Sequence, residues 1–339
     1  LSALIGRFHG GPAQVGVMSS TLFGGVSGSA VADASAIGSL MIPWHRRLGY
    51  PPAFSAATLA AAATIDILIP PSIPMILFAL SANASIAALF VAGIVPGLLM
   101  CAGFMGVCWW VGRRRGFPRD TTPFAWPAFR RHLLYASPAL LLPVLIIVFL
   151  RFGIATPTEV AVLSTLYAGL VSAAIYRDLG WRRLNDAVVH AGLATGVVLL
   201  VIMASSAIGW LLTFDRMPDG IVQWVQSHVH SAWLVIVLMN LLMLFIGMFI
   251  DLPAAMLLLT PVFVPLAQSI GMDMTQLGIM MVVNLALGLY TPPVGTTLFI
   301  TSSLARVKVG QTVRELIPFY LVALAVLALV SYVPASILR

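Results

Sequence analysis

Long apolar runs dominate the chain, and short polar connections rich in Arg, Gly and Pro separate them. A helix needs about 20 apolar residues to cross the hydrocarbon core of a bilayer. Runs of that order predict plain spanning helices over residues 84–112, 133–150, 157–176, 187–213 and 313–335. The runs are continuously apolar and do not alternate, so they favour helices over the strands of a membrane barrel. A further segment, residues 217–229, predicts a short amphipathic helix at the membrane interface.

Two other apolar runs are interrupted near their middle by small and polar residues. Residues 13–43 contain a Gly/Ser cluster at positions 24–29, and residues 232–267 are broken between positions 247 and 253. Each run predicts a re-entrant hairpin, in which two half-helices meet at a tip inside the membrane.

Two more runs predict helices that are split inside the membrane. Residues 51–80 are broken at Pro70 and Pro71, and residues 274–304 are broken at positions 291–295. Proline has no N–H and does not continue a helix. A break within the bilayer leaves carbonyls and amides without helical partners, which is tolerated only where protein, water or a ligand satisfies them.

One block of sequence occurs twice, and each copy holds one hairpin and one split helix. The first copy carries Asp33, Pro43, Gly49, Pro70, Pro71 and Pro96, and the second carries Asp251, Pro261, Gly271, Pro292, Pro293 and Pro318. The register offset is 218 up to the first Pro and 222 from the Gly onward. A doubled block of broken hydrophobic segments is a sequence pointer to the binding site of a secondary transporter.

Composition places the chain in a membrane. Of its 339 residues, 60% are hydrophobic and only 9% are charged, whereas a soluble domain has about a quarter charged residues. Eighteen Lys and Arg residues against eleven Asp and Glu residues give a net charge of +7. In a membrane protein this excess is better explained by topology than by nucleic acid.

The distribution of the cations predicts an orientation. If the loop at 113–131 is cytoplasmic, the connections around 44–48, 177–186 and 305–314 are cytoplasmic as well. Fifteen of the eighteen cations then lie inside, in agreement with the positive-inside rule. The first hairpin enters from the cytoplasm and the second from the opposite face, so the two copies are inverted relative to each other.

The layout predicts an all-α integral membrane protein in three parts. These are a first transport repeat over 1–112, a cytoplasmic loop with scaffold helices over 113–231, and a second transport repeat over 232–339.

The four breaks supply groups that suit ions and acids. Half-helix N-termini present amides and the positive end of a dipole, which favour a carboxylate, and unwound carbonyls with Ser and Thr hydroxyls present oxygens for Na⁺. The predicted sodium ligands are Ser27, Gly28, Ser29, Pro70, Ser72, Gly247, Thr291, Pro292, Gly295 and Thr297. The predicted substrate and coupling residues are Asp33, Asp66, Asp251, Pro71 and Thr296. The alternative is that Gly and Pro only pack and kink the helices while the Asp residues cap them.

Asp66 is a separate case, because it lies inside the apolar sequence that leads to Pro70 and Pro71. An ionisable residue within the membrane is a functional hypothesis by default, here an ion or proton site. The alternative is an acid that faces a water-filled cavity near the break and has little effect.

Other chemistries find no support in the sequence. Neither the His residues nor Cys101 and Cys108 have the spacing of metal ligands, and the two cysteines are interpreted as apolar packing. The one lysine, Lys308, is not part of a phosphate-binding loop. No cofactor and no nucleotide-driven step are predicted.

Together these motifs resemble the large membrane subunit of tripartite ATP-independent periplasmic (TRAP) transporters, the DctM-like family. The matching stretches are 27–33, 41–43, 49–50, 69–74, 89–93, 96–97, 156–159, 247–248 with 251, and 288–295. They cover nearly the whole chain.

The resemblance implies an elevator-type, sodium-coupled importer in the bacterial inner membrane. Its partners would be a small DctQ-like membrane subunit and a periplasmic solute-binding protein that delivers an organic acid. Such subunits have further helices before the first hairpin, and this chain opens at Leu1 without Met, as a fragment would. Asp66 departs from the small or apolar residue expected at its position.

Three alternatives stay open. One is a standalone ion-coupled carboxylate transporter or Na⁺/H⁺ antiporter of similar architecture, which a proton-linked Asp66 would favour. A second is an intramembrane enzyme with Asp33 and Asp251 as a catalytic pair, although their equivalent positions suit inverted symmetry better. A third is an inactive or scaffolding truncation.

Overall fold

The computed structural model describes residues 1–120, 125–229 and 231–334, and these residues form helices and connections without a strand. The helices, in chain order, are α1 Ser2–Ile5, α2 Gly11–Ser27, α3 Ala30–Arg47, α4 Pro52–Asp66, α5 Ile73–Ala82, α6 Ile86–Arg115, α7 Trp126–Arg151, α8 Pro157–Leu170, α9 Trp181–Phe214, α10 Met217–His228, α11 Ala232–Gly247, α12 Leu252–Ser269, α13 Met274–Gly288, α14 Thr296–Ala305 and α15 Val309–Tyr332. A π-helical turn, Val171–Ile175, continues α8.

The first break separates α2 from α3 at the Gly/Ser cluster. Gly28 ends α2 in the left-handed conformation, with φ of 64°, which glycine adopts without a steric penalty. Ser29 then takes an extended conformation, and its hydroxyl accepts a hydrogen bond from the N–H of Ala32. A serine in this role is a typical N-cap, so α3 starts afresh rather than continuing α2.

The second break separates α4 from α5 at the proline pair. Helix α4 ends at Asp66, and α5 begins after Ser72, whose hydroxyl accepts from the N–H of Met75. The peptide bond between Pro70 and Pro71 is cis, as is that between Pro292 and Pro293 in the second copy.

The second copy is interrupted at the matching places. Helix α11 ends at Gly247 and α12 begins after Asp251, whose side chain makes no capping bond. Helix α13 ends at Gly288, and α14 begins after Gly295, which has φ of 47°.

The two copies pack into one core. Helix α14 of the second copy lies against α3 and α4 of the first, and α12 lies against α5. The centre of α4 is alanine-rich and fully buried from Phe54 to Asp66, and α13 is buried throughout its second half. Small side chains let helix backbones approach closely where lipid offers no hydrophobic driving force.

Among the described residues, six helices are long and apolar enough to span a membrane, as expected of a multi-pass membrane protein. They cover Ile86–Arg115, Phe129–Arg151, Pro157–Ile175, Trp181–Leu211, Leu252–Ser269 and Val309–Tyr332. The span of α9 has no residue buried inside the structure, and those of α7 and α8 have few.

Some boundaries differ from the sequence prediction. Helix α7 begins at Trp126, ahead of residue 133, and α9 begins at Trp181, ahead of residue 187. Their first two turns contain Arg and other polar residues, which lower hydropathy without breaking a helix. The closing helix ends at Tyr332, and residue 335 of the predicted span lies outside the described residues.

Candidate functional site

A cleft lies where the breaks of the two copies meet. The first copy contributes Gly28, Ser29, Ala30, Val31, Ile67, Ile73 and Pro74, and the second contributes Asp251, Leu252, Pro253 and Leu289. The wall is mainly apolar, and its polar side chains are those of Ser29 and Asp251. A concave, largely apolar site with a few converging polar groups is the usual form of a small-molecule site.

The tip between α2 and α3 is held by Asp66. One carboxylate oxygen of Asp66 accepts a hydrogen bond from the N–H of Gly28 at 3.2 Å, and the other accepts from the N–H of Ser29 at 2.8 Å. The side chain is fully buried, so Asp66 does not face a water-filled cavity. A carboxylate that accepts amides at a helix N-terminus is stabilised by both the bonds and the helix dipole.

The tip also requires glycine at position 28. Besides its positive φ, Gly28 lies so close to the second break that an added Cβ would be 2.4 Å from the carbonyl oxygen of Pro71. The backbone of the hairpin tip therefore rests directly on the proline pair of the split helix.

Asp33 is the most unusual group near this tip. It lies in the first turn of α3 and is fully buried, yet neither carboxylate oxygen has a hydrogen-bond partner among the described residues. The hydroxyl of Ser20 on α2 faces this carboxylate, but the two groups do not come within 3.5 Å in hydrogen-bond geometry, and Ser20 has no such bond to another described residue. An ionised carboxylate in such a place costs several kcal/mol unless a cation or proton compensates it.

The second copy closes its tip without a carboxylate. With the register offset of 222, Gly288 is the counterpart of Asp66. A Cβ on Gly288 would be 2.3 Å from the carbonyl oxygen of Gly247, so the two glycine backbones touch. The N–H of Val294 also donates to the carbonyl of Met248 at 3.1 Å. Both copies thus join hairpin tip to split helix. The first does so through the Asp66 side chain together with backbone contact, and the second through the backbone.

The hydroxyl groups at the breaks are oriented by local bonds. Ser72 donates to the carbonyl of Ile67 at 2.6 Å, and Thr291 donates to that of Leu287 at 2.6 Å. Thr297 lies within hydrogen-bond distance of the carbonyls of Leu289 and Ala60, at 2.9 and 3.2 Å. A hydroxyl that donates its hydrogen still offers lone pairs to a cation.

The predicted site residues fall into three groups. Gly28, Ser29 and Asp251 line the cleft, whereas Asp33 and Asp66 are buried beside the first tip. The remaining candidates lie at the breaks but not on the cleft wall: Ser27, Pro70, Pro71, Ser72, Gly247, Thr291, Pro292, Gly295, Thr296 and Thr297. The hydroxyl oxygen of Thr296 is buried without a partner among the described residues.

Sequence reasoning missed two polar features. One is Ser20, whose signal is the polar run at positions 19–21 inside an apolar helix. The other is an asparagine pair in the second copy, in which the Asn284 amide donates to the Asn240 side chain at 2.8 Å. The Asn240 amide in turn donates to Ser331 at 3.0 Å, which links α11, α13 and α15.

The donor set suits a hard monovalent cation rather than a transition metal. Within the described residues there is no group of three or more His, Cys, Asp or Glu that could hold a metal ion. Cys101 and Cys108 are buried and free. The breaks offer carbonyl, hydroxyl and carboxylate oxygens instead, which are the ligands that transporter breaks use for Na⁺.

Comparison with known proteins gives a consistent result. The family model described as the tripartite ATP-independent periplasmic transporter, DctM component, matches residues 1–336. Protein y4mL of Sinorhizobium fredii is 56% identical over 97% of this chain and 78% of its own length. The C4-dicarboxylate TRAP transporter large permease protein DctM of Pseudomonas aeruginosa is 36% identical over 98% of this chain and 78% of its own. The isethionate TRAP transporter permease protein DctMQ of Oleidesulfovibrio alaskensis is 36% identical over 98% of this chain and 52% of its own length.

Proposed function

The chain belongs to the DctM component family of tripartite ATP-independent periplasmic transporters, and from that premise we propose that it imports an organic acid across the bacterial inner membrane with Na⁺ as the coupling ion. It is the large permease subunit of such a system and not an enzyme. The observation that carries the proposal is the buried, unpaired Asp33 beside a cleft formed by broken helices of both copies.

Sodium coupling is supported by the charge of the site. Asp33 and Asp66 are the fully buried acids among the described residues, and no Lys or Arg is buried with them. The amides of Gly28 and Ser29 stabilise Asp66, whereas Asp33 faces the Ser20 hydroxyl and has no buried cationic side chain beside it among the described residues. Sodium ions at the tips would supply the positive charge that balances Asp33. In the first copy, oxygens of Ser27, Ser29 and Ser72 would coordinate them. The second copy would use the carbonyls and hydroxyls at Gly247, Thr291, Gly295 and Thr297.

The substrate is proposed to occupy the cleft between the tips. Ser29 and Asp251 are the polar side chains of the cleft wall. Binding there would involve both copies at once, so that the occupied site moves as one unit. Asp66 acts in this scheme as a positioning residue that fixes the first tip, and Thr296, Pro70, Pro71 and Pro292 shape the two split helices.

We propose an elevator mechanism, and the arrangement of the parts supports it. We assign residues 1–112 and 232–339 to an inverted pair of repeats that moves, with re-entrant hairpins at each tip. The scaffold lies within residues 113–231. The dense contacts between α14, α3 and α4 support a rigid moving unit, and the exposed apolar surfaces of α7, α8 and α9 suit a scaffold that faces lipid and a partner.

Two partners are proposed. A small DctQ-like membrane subunit would cover part of the scaffold, and a periplasmic solute-binding protein would deliver the acid. The DctMQ name of the Oleidesulfovibrio relative, together with its length, is what supports the first partner.

Reconstituted uptake tests the proposal. Proteoliposomes that contain the chain and its small subunit receive a panel of labelled organic acids, with and without the solute-binding protein, under an imposed Na⁺ or H⁺ gradient. We expect uptake that requires both an inward Na⁺ gradient and the binding protein. Uptake of no acid under any gradient by correctly folded protein would contradict the proposal.

A second candidate is a standalone carboxylate transporter coupled to protons, and the observation that favours it is Asp66. A buried acid at the tip is a possible proton carrier. Uptake that follows an H⁺ gradient without Na⁺ and without the binding protein would select this candidate. An H⁺-driven uptake that Asp66→Glu retains and Asp66→Asn loses would place the proton on Asp66.

A further inference from the structure

A second cavity lies between α6 and α15, and it shares no lining residue with the cleft. It is a groove with an empty volume of about 890 Å³, lined by Trp110, Val111, Arg114, Arg115, Arg314, Glu315, Ile317, Pro318 and Leu321. The groove joins the last turns of α6 to the first turns of α15. Nothing in the transport scheme uses it.

The end of the groove nearest the C-terminus of α6 is positively charged. Arg114, Arg115 and Arg314 face one acid, Glu315, so two positive charges are in excess. Arg115 already pairs with Glu315 at 2.8 Å. Arg114 and Arg314 are exposed and can reach an incoming anion, and guanidinium groups bind phosphate oxygens in a bidentate manner.

The rest of the groove, away from the arginines, is apolar and exposed. Trp110, Ile317 and Leu321 are 50%, 58% and 67% exposed. The guanidinium of Arg114 lies 5.5 Å from the centre of the Trp110 ring. A tryptophan one turn from several arginines is typical of a membrane–water interface. That pattern would place the arginines at headgroup depth and the apolar residues at acyl-chain depth.

We propose that this groove binds the phosphodiester headgroup of an anionic phospholipid, with an acyl chain along Ile317 and Leu321. Charge complementarity selects the occupant, because the groove pairs an excess of arginine with an apolar strip in the order that a lipid has along its length. Basic pockets between membrane helices on the cytoplasmic side are known to hold anionic headgroups. A free phosphate would match the arginines but leave the apolar strip uncovered.

Lipid retention in native mass spectrometry tests this proposal. The full chain is purified in detergent and incubated with phosphatidylglycerol, phosphatidylcholine or inorganic phosphate. We expect retention of phosphatidylglycerol, with at least fivefold less retention of phosphatidylcholine and of phosphate. Equal retention of the two lipids, or of phosphate and phosphatidylglycerol, would overturn the proposal.

One double variant and a matched control pair locate the site. The double variant Arg114→Gln with Arg314→Gln should lose phosphatidylglycerol retention at least fivefold, whereas Arg131→Gln with Arg182→Gln, two exposed arginines elsewhere, should keep it. Unchanged retention in the first pair, or equal loss in the control pair, contradicts the assignment.

Glu315→Gln provides a test that does not depend on losing a function. It removes the counter-charge of Arg115 while leaving all three arginines in place, so phosphatidylglycerol retention should rise. A purely structural ion pair predicts no rise. Retention that stays the same or falls in Glu315→Gln, while the protein elutes as a single species, would therefore overturn the proposal.

Discussion

The carboxylate of Asp66 accepts a 2.8 Å hydrogen bond from the backbone N–H of Ser29, and this bond joins the end of α4 to the start of α3. The two residues are 37 positions apart in sequence. The same carboxylate also accepts from Gly28, so the tip of the first hairpin and the break of the first split helix form one structural unit.

Asp66→Asn is predicted to destabilise the protein. The substitution keeps the shape of the side chain but removes the charge that both amides face, and hydrogen bonds to charged groups contribute about 1.5–3 kcal/mol. We expect the free energy of unfolding in detergent micelles to fall by about 1–3 kcal/mol. Asp186→Asn changes an exposed acid on α9 and should have little effect. Equal stability of the Asp66 variant and the wild type would contradict this role.

Gly28→Ala is predicted to disrupt the first tip by more than backbone strain alone. Gly116 provides a matched control, because it has a similar φ of 66° but no atom within 4 Å of an added Cβ. Gly116→Ala should cost roughly 1–2 kcal/mol, the penalty of a left-handed conformation.

The alanine at position 28 would in addition collide with Pro71. We therefore expect Gly28→Ala to be the more destabilised of the two in thermal unfolding and to lose uptake in proteoliposomes, while Gly116→Ala retains it. Equal effects of the two substitutions would show that the contact with Pro71 is unimportant.

Gly28 and Asp66 show what the sequence alone could and could not predict. Glycine and proline interrupt helices for local reasons: Gly28 accepts a positive φ, and Pro70 and Pro71 lack an N–H. The breaks could therefore be located within a few residues. The hydrogen bonds of Asp66 depend on how two separate breaks pack, and no local pattern encodes that contact.

Two other features could not be predicted from the local sequence either. Ser20 could be seen as a polar residue in an apolar helix, but its position next to Asp33 depends on the packing of α2 against α3. The early starts of α7 and α9 were missed because arginine-rich first turns reduce hydropathy while they remain helical. Local propensity and tertiary contact thus set different limits on the prediction.

Asp33→Asn is predicted to abolish stabilisation by sodium. A ligand that binds only the folded state adds about 2.7 kcal/mol of stability at one hundred times its dissociation constant. The wild type should therefore unfold at a higher temperature in NaCl than in an equal concentration of choline chloride. Asp33→Asn should unfold at the same temperature in both salts, because the buried charge that attracts Na⁺ is gone.

The control for this experiment is Asp273→Asn. Asp273 caps α13 through bonds to the N–H groups of Thr275 and Gln276, and asparagine caps helices about as well. This variant should keep the difference between the two salts. A sodium effect of undiminished size in Asp33→Asn would remove Asp33 from the coupling site.

Gly288→Ala is predicted to separate the second tip from its split helix. An added methyl group would lie 2.3 Å from the carbonyl oxygen of Gly247, so the two backbones must move apart. We expect at least a tenfold loss of uptake and a lower unfolding temperature. Gly106→Ala, in α6 with open space around its Cβ, should be neutral or stabilise by about 1 kcal/mol, the helix propensity difference. Wild-type uptake by Gly288→Ala would contradict the need for this contact.

The central claim is that the cleft between the two tips is exposed to each side of the membrane in turn, and a single cysteine tests it most directly. Val31 lines the cleft and is 40% exposed. Val31→Cys, in a chain whose two buried cysteines are replaced by alanine, is treated in oriented proteoliposomes with an impermeant thiol reagent from either side. We predict labelling from both sides, with a ratio that shifts when Na⁺ and substrate are added. Labelling from one side only, under every condition of ion and substrate, would contradict the account.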